Sequence, residues 1–360
     1  MKILTIVGAR PQFIKAAMVS RAVLKHNAAH PASPIVEEIL HTGQHYDDSM
    51  SRVFFEEMKI PQPVVNLNVG SGPHGAMTAK MLEGIEKEII DRKPDWVLLY
   101  GDTNSTLAGA LAAAKLQVPV AHVEAGLRSF NWRMPEEINR IVADHVSSLL
   151  FCPTHAAVAN LTKEGITRGV HHVGDVMYDA ALLFGELAGK ESAILHDLGL
   201  SPGQYLLATV HRAENTDDPA RLGSIMSALQ KLAETTTVVF PVHPRTRSKL
   251  SDLRSLTSDL CLTPPVSYLD MVKLEKHAKC ILTDSGGVQK EAYFHGVPCV
   301  TLRDETEWVE TVEAGWNQLV GADTARILAA VDQARQGRPI AEYGNGSSAW
   351  GILEVVRISN

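Results

Sequence analysis

The amino-acid sequence predicts an α/β protein built from two doubly wound domains. Short runs rich in valine, isoleucine and leucine alternate with longer helical patterns along nearly the whole chain, which is typical of parallel sheets with crossover helices. The runs fall into two series, and a chain of 360 residues has room for two domains of about 100 to 200 residues each. Hydrophobic residues make up 45% of the chain, enough for two buried cores.

The short apolar runs are the candidate strands. In the first half they are residues 3–7, 35–42, 96–100, 118–123 and 149–152, and in the second half residues 205–210, 237–242, 280–283, 297–302 and 318–320. A polar segment at 189–203 and a turn near 171 are both candidate boundaries, and we place the boundary near 170. The domains are then 1–170 and 171–344, with a terminal helix at 345–360 that can pack back on either domain.

Composition and charge narrow the class of protein. The formal net charge of −7 provides no general basic surface and makes nucleic acid an unfavourable partner. Four widely spaced cysteines without a CxxC pair argue against a zinc site or a disulfide framework and indicate a reducing, cytoplasmic compartment. The apolar run at 3–9 is too short for a signal peptide, and no run reaches the roughly 18 apolar residues of a membrane helix.

Polar residues follow the ends of many predicted strands. In open α/β sheets ligands bind outside the carboxyl ends of the strands, so this distribution predicts one large site shared by two domains that face each other across a cleft. The residues concerned are Gly8, Arg10, Gly101, Asp102 and Glu124 in the first half, and His211, Arg212, His243, Asp284, Ser285, Gly286 and Gly287 in the second.

The loop after the first strand, GARPQFIK at 8–15, predicts an anion site. Pro11 suits the first turn of a helix, so Arg10 and Lys15 lie near a helix amino terminus with its free N–H groups and positive dipole end. The alternative is a pair of solvated surface charges. Gly8 stands alone in this loop, which contains neither GxGxxG nor GxxxxGK[ST], so the loop lacks the fingerprints of dinucleotide and phosphate loops.

The segment TDSGGVQKEA at 283–292 predicts a nucleotide site. Amides near Gly286 and Gly287 can approach a diphosphate without an intervening Cβ, Ser285 adds a hydroxyl donor, and Glu291 can accept hydrogen bonds from ribose hydroxyls. Asp284 or Ser285 can also cap the helix, an interaction of about 1 kcal/mol, and both roles are compatible. We favour the nucleotide interpretation because capping requires neither glycine.

Two histidines extend this second group. His211, in HRAEN, precedes Arg212, and a cationic pair at a strand end suits a diphosphate. His243, in PVHPR, is a weaker candidate because a lone strand-end histidine is often structural.

Three carboxylates in the first half suit acid/base chemistry: Asp102 in YGDTNST, Glu124 in HVEAGLRS and Glu136 in MPEEINR. Asp102 can also be a helix cap, and Glu136 can be a helix-dipole partner or pair with Arg140 at i, i+4. Several carboxylates in a partly dry cleft can be driven to different pKa values, which supplies both an acid and a base at neutral pH.

In this order and over nearly the whole chain, these blocks resemble the non-hydrolysing UDP-N-acetylglucosamine 2-epimerases. The resemblance implies two Rossmann-like domains in a glycosyltransferase-B type arrangement, a terminal helix that crosses back to the first domain, and a homodimer. It implies a UDP-sugar substrate and neither nicotinamide nor a required metal. The matching motifs are GARPQFIKA, YGDTNSTLAGALAA, HVEAGLRS, MPEEINR, HRAEN, PVHPR and TDSGGVQKEA.

The family reaction is anti elimination of UDP across C1 and C2 to give a 2-acetamidoglucal, followed by re-addition of UDP with C2 inverted. By matching motifs, Asp102, Glu124 and Glu136 are implied as acid/base carboxylates, with their individual assignments left open. The implied diphosphate ligands are Arg10, His211, Ser285, Gly286 and Gly287. Glu291 is implied as the ribose ligand, and Lys15 and Arg140 are implied as supporting cations.

The chain departs from the family pattern in two places. In RDETEWVET at 303–311, Arg303 is kept as a substrate-binding candidate but Trp308 replaces an arginine, and this variant is similar to the subgroup acting on UDP-2,3-diacetamido-2,3-dideoxyglucuronate. The loop 44–47 reads QHYD rather than a QHR type, and 68–77 contains no arginine, so we expect weak or absent allosteric activation. A UDP-sugar-dependent glycosyltransferase of the same architecture is the alternative from another class.

Overall fold

A computed structural model describes residues 1–43, 60–250 and 257–359 of the chain. The chain divides into two compact units, Met1–Ala180 with Ala341–Asn360, and Ala181–Ile340. The sequence analysis placed this boundary near 170, whereas here it falls inside the helix Val176–Glu191. Each unit has one sheet in which all assigned strand pairs are parallel, which confirms the doubly wound α/β class.

The first unit contains a seven-stranded sheet in the order β3-β2-β1-β4-β5-β6-β7. The order reverses between β1 and β4, which is the switch point where ligands bind in such sheets. The strands are β1 (Lys2–Val7), β2 (Val36–His41), β3 (Val65–Asn66), β4 (Trp96–Tyr100), β5 (Val120–Val123), β6 (Leu149–Cys152) and β7 (Val170–His172). Its described helices are Arg10–Ala29, His74–Arg92, Asn104–Lys115, Pro135–Val146, His155–Lys163 and Ser348–Ile358.

The second unit repeats this plan with a six-stranded sheet in the order β10-β9-β8-β11-β12-β13. Its strands are β8 (Tyr205–Thr209), β9 (Thr237–Pro241), β10 (Cys261–Thr263), β11 (Cys280–Thr283), β12 (Cys299–Thr301) and β13 (Asn317–Leu319). Its described helices are Ile194–Asp197, Ala213–Thr216, Pro219–Ala233, Pro244–Leu250, Tyr268–His277, Gly286–Phe294, Val309–Glu313 and Thr324–Asp332. No helix in the described ranges is long and apolar enough to cross a membrane.

Helices pack closely on the central strand of the first sheet. Every residue of β4 is buried, as expected for a strand covered on both faces. Gly109 in the helix Asn104–Lys115 lets the helix approach the sheet, because an added Cβ would lie 2.7 Å from Leu99 Cδ2. The turn Gly101–Asp102 is thereby held against the core at the end of β4.

The terminal helix Ser348–Ile358 belongs to the first unit. The buried carboxylate of Asp179 accepts hydrogen bonds from the amides of Ser348 at 3.1 Å and Ala349 at 2.8 Å. These amides open the helix and have no partner inside it, so Asp179 satisfies them from another segment of the chain. Ile352, Leu353 and Val356 form its buried face.

Candidate active site

A buried glutamine joins the ends of β1 and β4. Gln12 accepts hydrogen bonds on Oε1 from the amides of Gly8 at 2.8 Å and Ala9 at 3.1 Å. Its Nε2 donates to the carbonyl of Tyr100 at 2.8 Å and to Thr106 Oγ1 at 3.0 Å. Two amides of the predicted anion loop are therefore already hydrogen-bonded, and its charge comes from Arg10, the half-buried first residue of the helix.

Lys15 and Glu124 form a nearly buried ion pair beside the end of β4. Lys15 Nζ lies 2.7 Å from Glu124 Oε2, and the side chains are 6% and 12% exposed. Glu124 has a left-handed backbone with φ of 71°, a conformation that is sterically unfavourable for a residue with a side chain. A Cβ at Gly101 would lie 3.3 Å from Lys15 Nζ, so glycine leaves room for the pair.

Asp102 is bound by an arginine from the helix Pro135–Val146. Arg140 Nη2 lies 2.5 Å from Asp102 Oδ2, and Arg140 Nη1 donates to Glu137 Oε2 at 2.9 Å. Asp102 is half-buried, whereas Arg140 and Glu137 are buried. The guanidinium therefore stabilises negative charge on both carboxylates.

The two neighbouring glutamates of MPEEINR have different environments. Glu137 accepts hydrogen bonds from the amide and hydroxyl of Ser129 at 2.9 and 3.0 Å and from the amide of Phe130 at 2.8 Å. With Arg140 as a further partner, its oxygens are committed to holding the loop. Glu136 is half-buried in the first helical turn, and its side chain has no hydrogen bond or ion pair to another residue of the described ranges, so the predicted i, i+4 pair with Arg140 does not form.

A buried network of His122, Asp144 and Arg128 contacts the Gly101–Asp102 turn. His122 is fully buried, and its ring nitrogens lie 2.8 Å from Asp144 Oδ1 and 2.7 Å from the carbonyl oxygen of Gly101. Asp144 also accepts from Arg128 Nη1 at 2.7 Å. Burial alone would raise the pKa of Asp144, but His122 and Arg128 outweigh it, and the pKa is lowered.

In the second unit a buried aspartate organises the strand-end loop after β8. Asp284 accepts hydrogen bonds from the amides of His211 at 3.0 and 3.1 Å and Arg212 at 3.0 Å, and from Asn215 Nδ2 at 3.1 Å. Its Oδ1 lies 3.5 Å from His211 Nδ1. His243 is exposed, and its ring centroid is 5.3 Å from that of His211. Asp284 thus holds His211 at the strand end that precedes Ser285, and His243 lies beside His211.

The helix Gly286–Phe294 begins with Ser285 as its cap, where Ser285 Oγ accepts from the amide of Val288 at 3.5 Å. The capping role is therefore real and uses Ser285 rather than Asp284. A Cβ at Gly286 would lie 2.6 Å from Glu307 Oε1, so a larger residue here would displace the carboxylate that binds Arg303. Gly287 is exposed, and an added Cβ would be only in ordinary contact, 3.8 Å from Glu291 Oε2.

Arg303 lies beneath the helix start. It is 2% exposed, and its Nη1 donates to Glu307 Oε2 at 3.0 Å. Trp308 is buried as well, and the ammonium of the buried Lys290 lies 4.0 Å from its ring centroid. The residue that replaces the family arginine is therefore matched to a buried cation by a cation–π contact.

Sequence analysis did not single out Gln12, His122, Glu137 or Asp144. Gln12 lies three residues after Ala9, the residue that precedes the helix, which is the position of the glutamine in a capping box. The i, i+3 spacing of Glu137 and Arg140 is a pairing signal. No local pattern identifies the His122–Asp144 pair. The predicted regulatory loop, Gln44 to Asp47, lies outside the described residues, and within the described ranges no cluster of three or more acidic, histidine or cysteine side chains could hold a metal.

The protein is a two-domain α/β enzyme. One doubly wound unit carries carboxylates at its strand ends, and the other carries a helix that starts with Ser285, Gly286 and Gly287. A family model described as UDP-N-acetylglucosamine 2-epimerase matches residues 27–357, and the chain belongs to that family. It is therefore an isomerase, either a UDP-N-acetylglucosamine 2-epimerase or a close relative.

Similar proteins cover the whole chain. A UDP-N-acetylglucosamine 2-epimerase homolog of Methanococcus maripaludis is 53% identical over 99% of both chains. The UDP-2,3-diacetamido-2,3-dideoxy-D-glucuronate 2-epimerase of Pseudomonas aeruginosa is 51% identical over 98% of this chain and 99% of its own. A crystal structure of Methanocaldococcus jannaschii UDP-GlcNAc 2-epimerase in complex with UDP-GlcNAc and UDP has a TM-score of 0.92 at 43% identity, covering 99% of this chain and 100% of that one.

Proposed function

We propose that this protein inverts C2 of a UDP-N-acetylhexosamine, interconverting substrates of the UDP-GlcNAc and UDP-ManNAc type without hydrolysing them. UDP is eliminated anti across C1 and C2, which leaves a 2-acetamidoglucal, and it then adds back with C2 inverted. The observation that carries the proposal is the pair of carboxylates at two neighbouring strand ends, Asp102 and Glu124, each held by a buried cation.

Elimination is chemically the accessible route. The C2 hydrogen has no adjacent carbonyl to acidify it, because the acetamido group is attached through nitrogen. Departure of UDP creates cationic character at C1 and makes the C2 proton labile, so catalysis requires groups that stabilise the leaving diphosphate and groups that move the proton.

In this proposal the first unit supplies the proton chemistry. Arg140 and Lys15 stabilise negative charge on Asp102 and Glu124, which suits these carboxylates to accept a proton. Glu136, in the first turn of the helix that carries Arg140, is the third carboxylate of this group. Inversion needs proton transfer on both faces of C2, and several carboxylates in different environments meet that need.

The second unit supplies the binding of UDP. The start of the helix Gly286–Phe294 offers amides and a positive dipole end, and Gly287 leaves its approach unobstructed. His211 is held beside it by Asp284 and can stabilise the diphosphate as UDP leaves. Glu291, one turn into the helix, suits the ribose hydroxyls. Arg303 contributes indirectly, because it binds Glu307, whose carboxylate lies next to Gly286.

Proton NMR of UDP-GlcNAc incubated with the protein in deuterated buffer tests this function. Epimerisation by elimination replaces the C2 hydrogen with deuterium and produces UDP-ManNAc while the UDP-sugar pool is conserved. Free UDP with a sugar product would indicate hydrolysis. A glycosyltransferase would leave UDP-GlcNAc unchanged without an acceptor, and absence of C2 exchange with every UDP-sugar tried rejects the proposal.

UDP-2,3-diacetamido-2,3-dideoxyglucuronate is the second candidate substrate. The Pseudomonas aeruginosa relative bearing that name is 51% identical over the chain, and Trp308 with Lys290 replaces the arginine that many family members carry. The same experiment with both substrates distinguishes them, because fast exchange of UDP-GlcNAc and none of the diacetamido uronate eliminates this second candidate.

We also propose that the enzyme is a homodimer with weak or absent allosteric activation. Light scattering measures the mass in solution, and a monomer would contradict the first part. Sigmoidal dependence of the rate on UDP-GlcNAc concentration would contradict the second.

A further inference from the structure

The loop 128–134 exposes two large aromatic side chains between two candidate acid/base residues. Phe130 is 70% exposed and Trp132 is 69% exposed, and the loop connects the segment that carries Glu124 to the helix that begins beside Glu136. Exposed aromatic side chains close to polar functional groups are typical of ligand contacts.

This loop is fixed at both ends. Arg128 is buried and donates to Asp144 at 2.7 Å and to both oxygens of Glu164 at 2.7 Å. Further along, Asn131 Oδ1 accepts from the amide of Arg133 at 3.0 Å, and the carbonyl of Asn131 accepts from the amide of Met134 at 3.0 Å. The exposure of the aromatic rings is therefore built into a defined backbone.

Phe130 is also held in an unfavourable conformation. Its φ is 58°, in the left-handed region that bulky residues avoid. The carboxylate of Glu137 maintains it by accepting the amides of Ser129 and Phe130. Strain that the surroundings impose on an exposed aromatic residue indicates a functional constraint rather than a packing one.

The same carboxylate connects the loop to Asp102. Glu137 Oε2 accepts from Arg140 Nη1 at 2.9 Å, and Arg140 Nη2 lies 2.5 Å from Asp102 Oδ2. Two side chains thus link the backbone of Phe130 to a proposed acid/base group. The position of the loop and the position of Asp102 are set by one hydrogen-bonded network.

We propose that Phe130 determines specificity by contacting the hexosamine of the substrate, with Glu137 as the residue that positions it. An aromatic face packs against the apolar C–H face of a pyranose or the methyl of its acetamido group, and Glu137 aligns this contact with Asp102. This inference rests on the proposed function. UDP itself, which lacks the sugar, does not use the contact.

The test compares binding of UDP with binding of UDP-GlcNAc by calorimetry. The variants are Phe130→Ala, Phe130→Tyr and Phe130→Gly, made in an Asp102→Asn background so that the sugar is not turned over. We expect Phe130→Ala to bind UDP within about twofold of its parent and UDP-GlcNAc about tenfold more weakly, and Phe130→Tyr to restore most of the loss. Ile358→Ala, which truncates an equally exposed residue in the terminal helix, is the control that changes neither affinity.

Phe130→Gly separates this role from a structural one. Glycine adopts positive φ without strain, so we expect a Tm no lower than that of the parent together with the same loss of sugar affinity. Glu137→Gln, with Asp102 intact, is expected to lower kcat/KM for the UDP-sugar while inhibition by UDP is unchanged. A lower Tm for Phe130→Gly with unchanged sugar affinity would assign the residue to folding.

Equal losses for UDP and UDP-GlcNAc, or no loss for either, overturn the proposal. A change in mass by light scattering with unchanged affinities would assign Phe130 to contact with a second copy instead. Because the binding assay needs no turnover, failure of the proposed function is seen separately, as a wild-type protein that gives no C2 exchange.

Discussion

The two units share one sheet topology around their first strands but differ in the groups at the strand ends, which are carboxylate–cation pairs in one and a helix start in the other. In the first unit, Glu124 and Asp102 are each bound to a cation, Lys15 or Arg140. In the second unit, the helix start has amides, a hydroxyl and an exposed glycine, and the buried Asp284 is used to hold backbone. The same architecture thus presents buried ion pairs at the strand ends of one unit and a helix start with exposed amides at those of the other.

This difference predicts separable mutant effects. Truncating one partner of a buried ion pair leaves an uncompensated charge, which affects the fold as well as the chemistry. Groups at a helix start that point to solvent contribute to ligand binding with little effect on folding. Changes in the first unit should therefore alter turnover or stability, and changes in the second should alter affinity for UDP.

The largest expected effect comes from Asp102→Asn. Removing the negative charge while keeping the shape should reduce turnover by about a thousandfold, within the range for loss of a general acid or base, and leave UDP affinity within about twofold. Deuterium exchange at C2 measures the first quantity and calorimetry the second. Activity similar to wild type would remove Asp102 from the proton chemistry.

Asp144→Asn should produce the largest loss of folding stability. Asp144 is fully buried between His122 and Arg128, and leaving those groups without a full charge partner should cost about 3 kcal/mol. The measurement is the midpoint of urea unfolding. The matched control is Asp91→Asn, whose ion pair with Lys87 is exposed and should contribute little to folding stability. Equal effects of the two changes would contradict the importance of burial.

Acidification should weaken the second unit through a buried histidine. Burial, with Lys276 and His277 nearby, lowers the pKa of His295 to about 4, and Glu275 Oε2 is 3.9 Å from its Nε2. The unfolded chain takes up this proton below roughly pH 6.5, whereas the folded protein does so only near 4, so stability falls across that interval, by roughly 2 kcal/mol at pH 5.

Asp144 has the opposite protonation preference and a lower pH window. Its pKa is lowered in the folded protein, so its stabilisation is present above the ordinary aspartate value of about 3.9 and is lost only as the pH falls through the folded value. Urea unfolding followed from pH 7 to 3 should show His295→Gln reducing the loss between about 6.5 and 4. An unchanged profile in that variant would exclude His295 as the cause.

The smallest effects should come from the glycine pair in the second unit. Gly287→Ala places a methyl where the protein leaves space, so Tm should stay the same or rise with helix propensity while UDP affinity falls about tenfold. Gly286→Ala should instead lower Tm, because its Cβ would lie 2.6 Å from Glu307 Oε1. Unchanged UDP affinity in Gly287→Ala would exclude a close approach of the diphosphate at this position.

Strands at the centres of the sheets could be predicted from the sequence because burial on both faces demands continuous apolar runs. The three strands that escaped prediction, β3, β7 and β10, lie at sheet edges and are two or three residues long. Partly exposed edge strands carry little apolar signal, and their pairing is decided by the neighbouring strand.

The candidate site divides in the same way. Residues at strand ends, such as Asp102 and Ser285, could be found because topology alone brings strand ends together. Glu137 could not be separated from Glu136 by motif, since only the folded loop shows which glutamate is committed to Ser129 and Phe130. Ion pairs between distant segments are determined by tertiary packing, so local sequence patterns do not predict them.

The terminal helix has a consequence for how the protein is made. Residues 348–358 complete the first unit, yet the ribosome delivers them after all of 181–340. During translation the early helix Arg10–Ala29 must wait for its late neighbour, and Asp179 must wait for the amides of Ser348 and Ala349. A nascent chain released before this point would carry a finished second half and a first half with an uncovered apolar surface, the kind of species that chaperones retain.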